Sequence, residues 1–117
     1  NYPFHKTPSS LDVPLPDGTD DGAYLDALAR HLPVALEASR PDLVFYLAGI
    51  DVLADDRFGR LALTEDGVAM RDRFVLETLK RADLPVALLL SGGYAPTPEE
   101  TARRHALAHY AARRVYG

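Results

Sequence analysis

Two short apolar runs dominate the hydropathy pattern. Leu43-Val44-Phe45-Tyr46-Leu47-Ala48 leads into Gly49-Ile50-Asp51, and Pro85-Val86-Ala87-Leu88-Leu89-Leu90 leads into Ser91-Gly92-Gly93-Tyr94. The first lacks strict alternation and holds Val, Phe and Tyr, as a strand buried on both faces would. Between the runs lies the polar loop Asp51 to Gly59, then Leu61-Ala62-Leu63 and Thr64, a plausible helix N-cap. Val68, Arg71, Phe74, Val75, Leu76 and Leu79 follow as a largely apolar face at helical spacing. Glu65 and Asp66 in the first turn, with Lys80 and Arg81 in the last, suit the helix dipole. Strand, helix and strand in that order predict one βαβ unit with parallel strands.

The flanks extend this pattern. Asn1 to Asp20 is rich in proline and irregular, with a short strand expected at Leu11 to Leu15 and Pro14 at a sheet edge. Pro16-Asp17-Gly18-Thr19 is turn chemistry. Asp20 or Asp21 then caps a helix through Tyr24, Leu25, Leu28, Ala29 and Leu32, ending near Ser39-Arg40-Pro41. Pro33 inside it is expected to kink or divide that helix, because it removes a donor and crowds the preceding turn. Thr97-Pro98-Glu99-Glu100 reads as a capping box with Pro in the first turn, opening a helix to about Val115.

Composition narrows the possibilities. At 117 residues with 47% hydrophobic content, the chain is one domain at most, with a small but real core. A net charge of −4 argues against a nucleic-acid or anionic-membrane surface. The pairs Arg103-Arg104 and Arg113-Arg114 are expected on a solvated helix face. The absence of cysteine excludes disulfides and thiolate zinc sites. No apolar run approaches a membrane span and no signal peptide is recognisable, so a cytoplasmic location is the default expectation.

In a parallel sheet the ligand sits beyond the carboxyl ends of the strands, where Asp51 and Tyr94 fall. A carboxylate and a phenol at one sheet edge suit a metal ligand and a carbonyl-polarising donor. Taken alone, an aspartate at position 51 more often caps a local turn than binds a metal. Asp55 and Asp56, with Arg57 beside them, read as a turn or ion pair that supports a site from behind. Gly92 and Gly93 permit close approach of a ligand. A phosphate-binding turn is an alternative there, although Tyr94 in place of Lys or Ser argues against a P-loop. His105 and His109 have zinc-compatible spacing but lack an obvious third ligand, so a solvated or half-buried pair is the better reading.

Together these segments resemble the histone deacetylase superfamily. The resemblance is carried by Asp17-Gly18-Thr19-Asp20-Asp21 with Tyr24-Leu25, by Arg40-Pro41-Asp42-Leu43-Val44, by Ala48-Gly49-Ile50-Asp51-Val52-Leu53, by Asp55-Asp56-Arg57-Phe58-Gly59 and by Ser91-Gly92-Gly93-Tyr94. Its bacterial and class IV members are particularly similar, and Ser91, where most of the family has another glycine, fits class IV. The resemblance implies the carboxyl-terminal part of a single deacetylase domain, spanning residues 1–117, with an arginase-like three-layer α/β/α fold. The upstream portion, with the other zinc ligands and the paired histidines of the acid/base machinery, is expected to be absent.

By the same resemblance, Asp51 is a ligand of a catalytic Zn2+ and Tyr94 the oxyanion donor. Gly92 and Gly93 line the acyl-lysine channel, and Tyr2 and Phe58 flank its mouth. The implied activity is zinc-dependent hydrolysis of an acyl-amide, with an acyl-lysine peptide or an acylated small amine as substrate, and the fragment alone is expected to be inactive. A non-enzymatic α/β interaction module stands beside this reading. An unpaired sheet edge makes self-association of the truncated sheet plausible.

Overall fold

A computed structural model describes residues 5–117 of the chain. The elements run α1 (Asp21–Ser39), β1 (Val44–Leu47), α2 (Glu65–Arg81), β2 (Val86–Leu89) and α3 (Pro98–Tyr116). The architecture is α/β: β1 and β2 pair in parallel, with Val44 opposite Val86 and Leu47 opposite Leu89.

Each helix starts where its capping chemistry lies. The Asp20 carboxylate accepts from the Ala23 N–H, Thr64 Oγ1 from the Gly67 N–H, and Thr97 Oγ1 from the Glu100 N–H. These bonds satisfy amides that no helical carbonyl can reach. Helix α1 is joined to α2 through Asp21, whose carboxylate accepts from both the backbone N–H and the hydroxyl of Thr64. Helices α2 and α3 lie parallel, tied by Arg103 to Glu65 near their starts and by Lys80 Nζ to the Val115 carbonyl near their ends.

Three expectations need correction. Residues 11–15 form no strand, because no neighbouring backbone among the described residues pairs with them. Helix α1 runs unbroken through Pro33. Pro33 and Ala29 both face solvent, so the carbonyl deprived of its donor remains accessible to water. Finally, β1 is not buried on both faces. Val44 and Tyr46 face the helices, whereas Phe45 and Leu47 are 62% and 60% exposed.

The covered face of the sheet is joined to α2 by a buried polar network. Tyr46 Oη donates to Asp72 Oδ1 at 2.5 Å, and Arg71 Nε donates to the same oxygen at 2.9 Å. Arg71 Nη1 continues to the Gly49 carbonyl at 2.7 Å, just past the end of β1. Burial, with the Asp72 charge alongside, pushes the Tyr46 phenol far above its ordinary range, so Tyr46 acts as a neutral donor. A compact apolar core of Ile50, Leu53, Leu63 and Val68 lies beneath the loop that follows β1. It gives that loop a rigid base, and a parallel bridge between Leu53 and Leu63 ties its two ends together.

Candidate active site

The segments after β1 and β2 leave the sheet at the same end, as parallel pairing requires. They are stitched together by backbone bonds: the Ile50 N–H donates to the Gly92 carbonyl at 2.8 Å, and the Arg57 N–H to the Tyr94 carbonyl at 3.2 Å. Asp51 and Tyr94 therefore stand on adjoining loops of one rim.

Glycine is required where these loops touch. A side chain at Gly92 would collide with the Asp51 carboxylate, and one at Gly93 with Ile50 Cγ1. The Asp51 carboxylate thus lies directly against the Gly92 backbone. No hydrogen bond to it forms among the described residues, so its oxygens remain available. It also lines a cleft of about 430 Å3 with Lys6, Asp17 and Arg60.

Tyr94 is half exposed at 52% and meets Phe58 edge to face, with ring centroids 4.9 Å apart and planes at 87°. The Arg57 guanidinium lies 5.5 Å from the Phe58 ring centroid. Phe58 thus lies beside Tyr94. Tyr2 lies outside the described residues.

The neighbouring acids divide their work. Asp55 forms a two-pronged pair with Arg104, both bonds 2.8 Å long, which holds its carboxyl below the usual range. Asp56 accepts from three backbone amides: Phe58 N–H at 3.0 Å, Gly59 N–H at 2.8 Å and Tyr94 N–H at 2.6 Å. The ion pair of Asp55 is made with Arg104, not with adjacent Arg57.

That pairing corrects the expectation that Arg104 lies on a solvated face. Its side chain is 8% exposed and also reaches Glu65 at 3.1 Å. The sequence signal was weak, since one arginine of a pair near a helix start looks like its neighbour. Arg103, beside it, does remain half exposed.

His105 is half buried and His109 exposed, matching the expectation for the pair. His105 Nε2 stands 3.1 Å from where a Gly93 Cβ would be, and buried Nδ1 has no hydrogen-bond partner among the described residues. Burial lowers the His105 pKa, with the Asp51 charge opposing and His109 reinforcing the shift.

Of the acids on the loop after β1, Asp51 is the candidate oxygen ligand for a metal. Asp51 fits: its side-chain oxygens are reachable and accept no hydrogen bond among the described residues. Asp55 is taken by Arg104 and Asp56 by backbone amides, so neither is free to coordinate. No group of three His, Cys, Asp or Glu able to hold a metal occurs among the described residues.

A parallel βαβ unit with an acid after one strand and a glycine-tyrosine loop after the next defines an α/β protein with its polar rim at the strands' carboxyl ends. Comparison with known proteins makes the family specific. The histone deacetylase domain matches residues 5–110, and the chain belongs to the histone deacetylase family. It is 48% identical over 116 residues to a protein of Picosynechococcus sp., covering 99% of this chain and 39% of that one. Histone deacetylase 2 of Arabidopsis thaliana is 36% identical over 96 residues, covering 80% of this chain and 25% of the relative. The acetylpolyamine aminohydrolase of Burkholderia pseudomallei superposes with a TM-score of 0.68 at 24% identity, over 86% of this chain and 27% of that structure. That likeness identifies the fold as arginase/deacetylase-like. The chain spans well under half the length of each of these proteins.

Proposed function

We propose that these residues form part of the active site of a zinc-dependent deacetylase that hydrolyses an acyl-amide bond of acyl-lysine or an acylated amine. Family membership supports the reaction class. The observation that carries the residue roles is the adjacency of the Asp51 and Tyr94 loops at one end of the parallel sheet.

In this reading Asp51 supplies one oxygen ligand, and further ligands come from polypeptide beyond the 117 residues. Bound zinc supplies Lewis-acid polarisation of the acyl carbonyl and acidification of a water. Tyr94 donates its phenolic proton in a hydrogen bond to the carbonyl oxygen, most strongly as negative charge develops there. Gly92 and Gly93 let the acyl-bearing chain pass close to the backbone, and Phe58 walls the opening beside Tyr94. Tyr2 is assigned to the flank of the channel by resemblance alone.

Acyl-lysine and an acylated polyamine both present an extended aliphatic chain ending in an amide. A phosphate-binding role for the Gly92-Gly93 turn is disfavoured, because the Asp51 carboxylate beside it repels an anion. The isolated chain is proposed to be inactive, since a single carboxylate does not retain catalytic zinc.

The test is made on the full-length gene product with an acetyl-lysine peptide and an acetylated polyamine. Hydrolysis of either should require zinc, and Asp51→Ala should lose both bound zinc and turnover. Undiminished zinc content in that variant would remove Asp51 from the metal site.

A further inference from the structure

In sequence Asp56 has no obvious task beyond a turn, yet it is the most heavily used acceptor on the rim. Its Oδ1 takes the Tyr94 N–H, while its Oδ2 takes the N–H groups of Phe58 and Gly59. One carboxylate thus fixes the backbone under both aromatic rings. It also fixes Gly59, where any side chain would collide with the Asp51 carbonyl. Among the described residues no cation pairs with Asp56, so its charge is balanced by amide donors alone.

Tyr94 needs such a tie. Its ring is half exposed, so burial alone does not fix it. Its restraints are the Asp56 bond, the Arg57 N–H on its carbonyl and the edge of Phe58. Two of these are backbone ties to consecutive residues of the loop after β1, and the third is a residue whose amide Asp56 also holds. The Tyr94 backbone is therefore held from the Asp51 loop, across 38 residues of sequence, and its ring rests on Phe58 of that same loop.

We propose that Asp56 is a positioning residue for the reaction: it sets Tyr94 and Phe58 relative to Asp51 without itself touching substrate. This rests on the reading of Tyr94 as oxyanion donor. Adjacent Asp55 serves a different end, clamping the loop to α3 through Arg104.

The experiment is a double-mutant cycle in the full-length protein, following kcat, KM and zinc content. Asp56→Asn keeps size but places an NH2 group against a backbone N–H, so one side of the tie is lost. The expected result is a fall in kcat of about 10–100-fold, the order produced by a misplaced reacting group. Zinc content and KM should stay within about twofold of wild type. In the Tyr94→Phe background the same substitution should cost less than about threefold, because the hydroxyl it positions is already gone.

An equal loss in both backgrounds would overturn the proposal, as would an unchanged kcat. Asp55→Asn is the companion variant: it breaks the Arg104 pair next door and should leave kcat within about threefold. A loss matching that of Asp56→Asn would reduce Asp56 to general loop stability. If Asp56→Asn fails to fold, Asp56→Glu, which keeps the charge but displaces it, is carried through the same cycle with the same criteria. Full activity of Tyr94→Phe alone would instead defeat the oxyanion reading, a result distinct from additivity in the cycle.

Discussion

The two faces of the β1–β2 pair are held in different ways. On one, Tyr46 is bonded to Asp72, which is fully buried and paired with Arg71, and Arg71 in turn grips the Gly49 carbonyl two residues before Asp51. On the other, Phe45, Leu47 and Leu89 are left 62%, 60% and 42% exposed. The residues of β1 alternate between these environments, so neighbours in sequence differ sharply in surroundings. The contrast indicates that the rim carrying Asp51 is fixed from the α2 side. Among the described residues no side-chain hydrogen bond from the bare face reaches that rim.

The largest effect expected from that contrast is on the buried network. In the full-length protein Asp72→Ala should cost about 3–5 kcal/mol, because it strands the Arg71 charge in the interior. Thermal and denaturant unfolding would measure it. A cost below about 1 kcal/mol, usual for an exposed ion pair, would remove the claimed asymmetry.

A second effect, at the rim itself, should follow from Gly92→Ala. The added methyl group must displace the Asp51 carboxylate or the strand-end backbone. Zinc affinity should weaken by about 10–100-fold, the scale seen when groups orienting a ligand are disturbed. Competition with a chelating dye reads this directly, and unaltered affinity would show that the contact is slack.

The bare face offers a sharper comparison. In the 117-residue chain, Leu47→Ala should cost under about 1 kcal/mol, since the side chain is already mostly in water. In the full-length protein the same change should cost about 2–5 kcal/mol if the proposed remainder of the domain covers this face. Equal, small costs in both would leave the face bare and weaken the proposed single domain. Self-association of the short chain should lessen with Leu47→Asp, as read by sedimentation.

The smallest effect concerns acid. The hydrogen bond from Arg104 lowers the Asp55 pKa, and that from Arg103 lowers the Glu65 pKa. A carboxyl lowered by folding binds protons less tightly in the folded state than in the unfolded one. The stabilisation is therefore complete above the ordinary Asp and Glu values and is lost as pH falls through the lowered ones. Both groups are largely solvated, so screening keeps the loss slight. Arg104→Met should flatten the acid limb of the stability curve, and an unchanged limb would assign it to other groups.

Much of the fold was readable because its signals are local. Asp20, Thr64 and Thr97 bond amides three residues ahead, and the strand runs are bounded by turn residues. The strand expected at Leu11 to Leu15 failed for the opposite reason: a strand requires a partner, and extended sequence does not supply one. The places of Asp51, Gly92, Gly93 and Tyr94 at one rim followed from parallel topology, whereas Phe58 was singled out by resemblance alone. What stayed hidden were polar partnerships across long separations. Asp56 meets Tyr94 across 38 residues, and Arg104 meets Asp55 across 49. Likewise, Arg71 sits inside an otherwise apolar stripe, where sequence showed the interruption but neither the buried Asp72 beside it nor the tyrosine they meet.

Replacement of one oxygen atom tests the central claim most directly. Tyr94→Phe in the full-length protein should bind zinc as wild type does while kcat falls about 100–1000-fold, the usual consequence of losing an oxyanion donor. Wild-type turnover by a zinc-replete Tyr94→Phe enzyme would contradict the account.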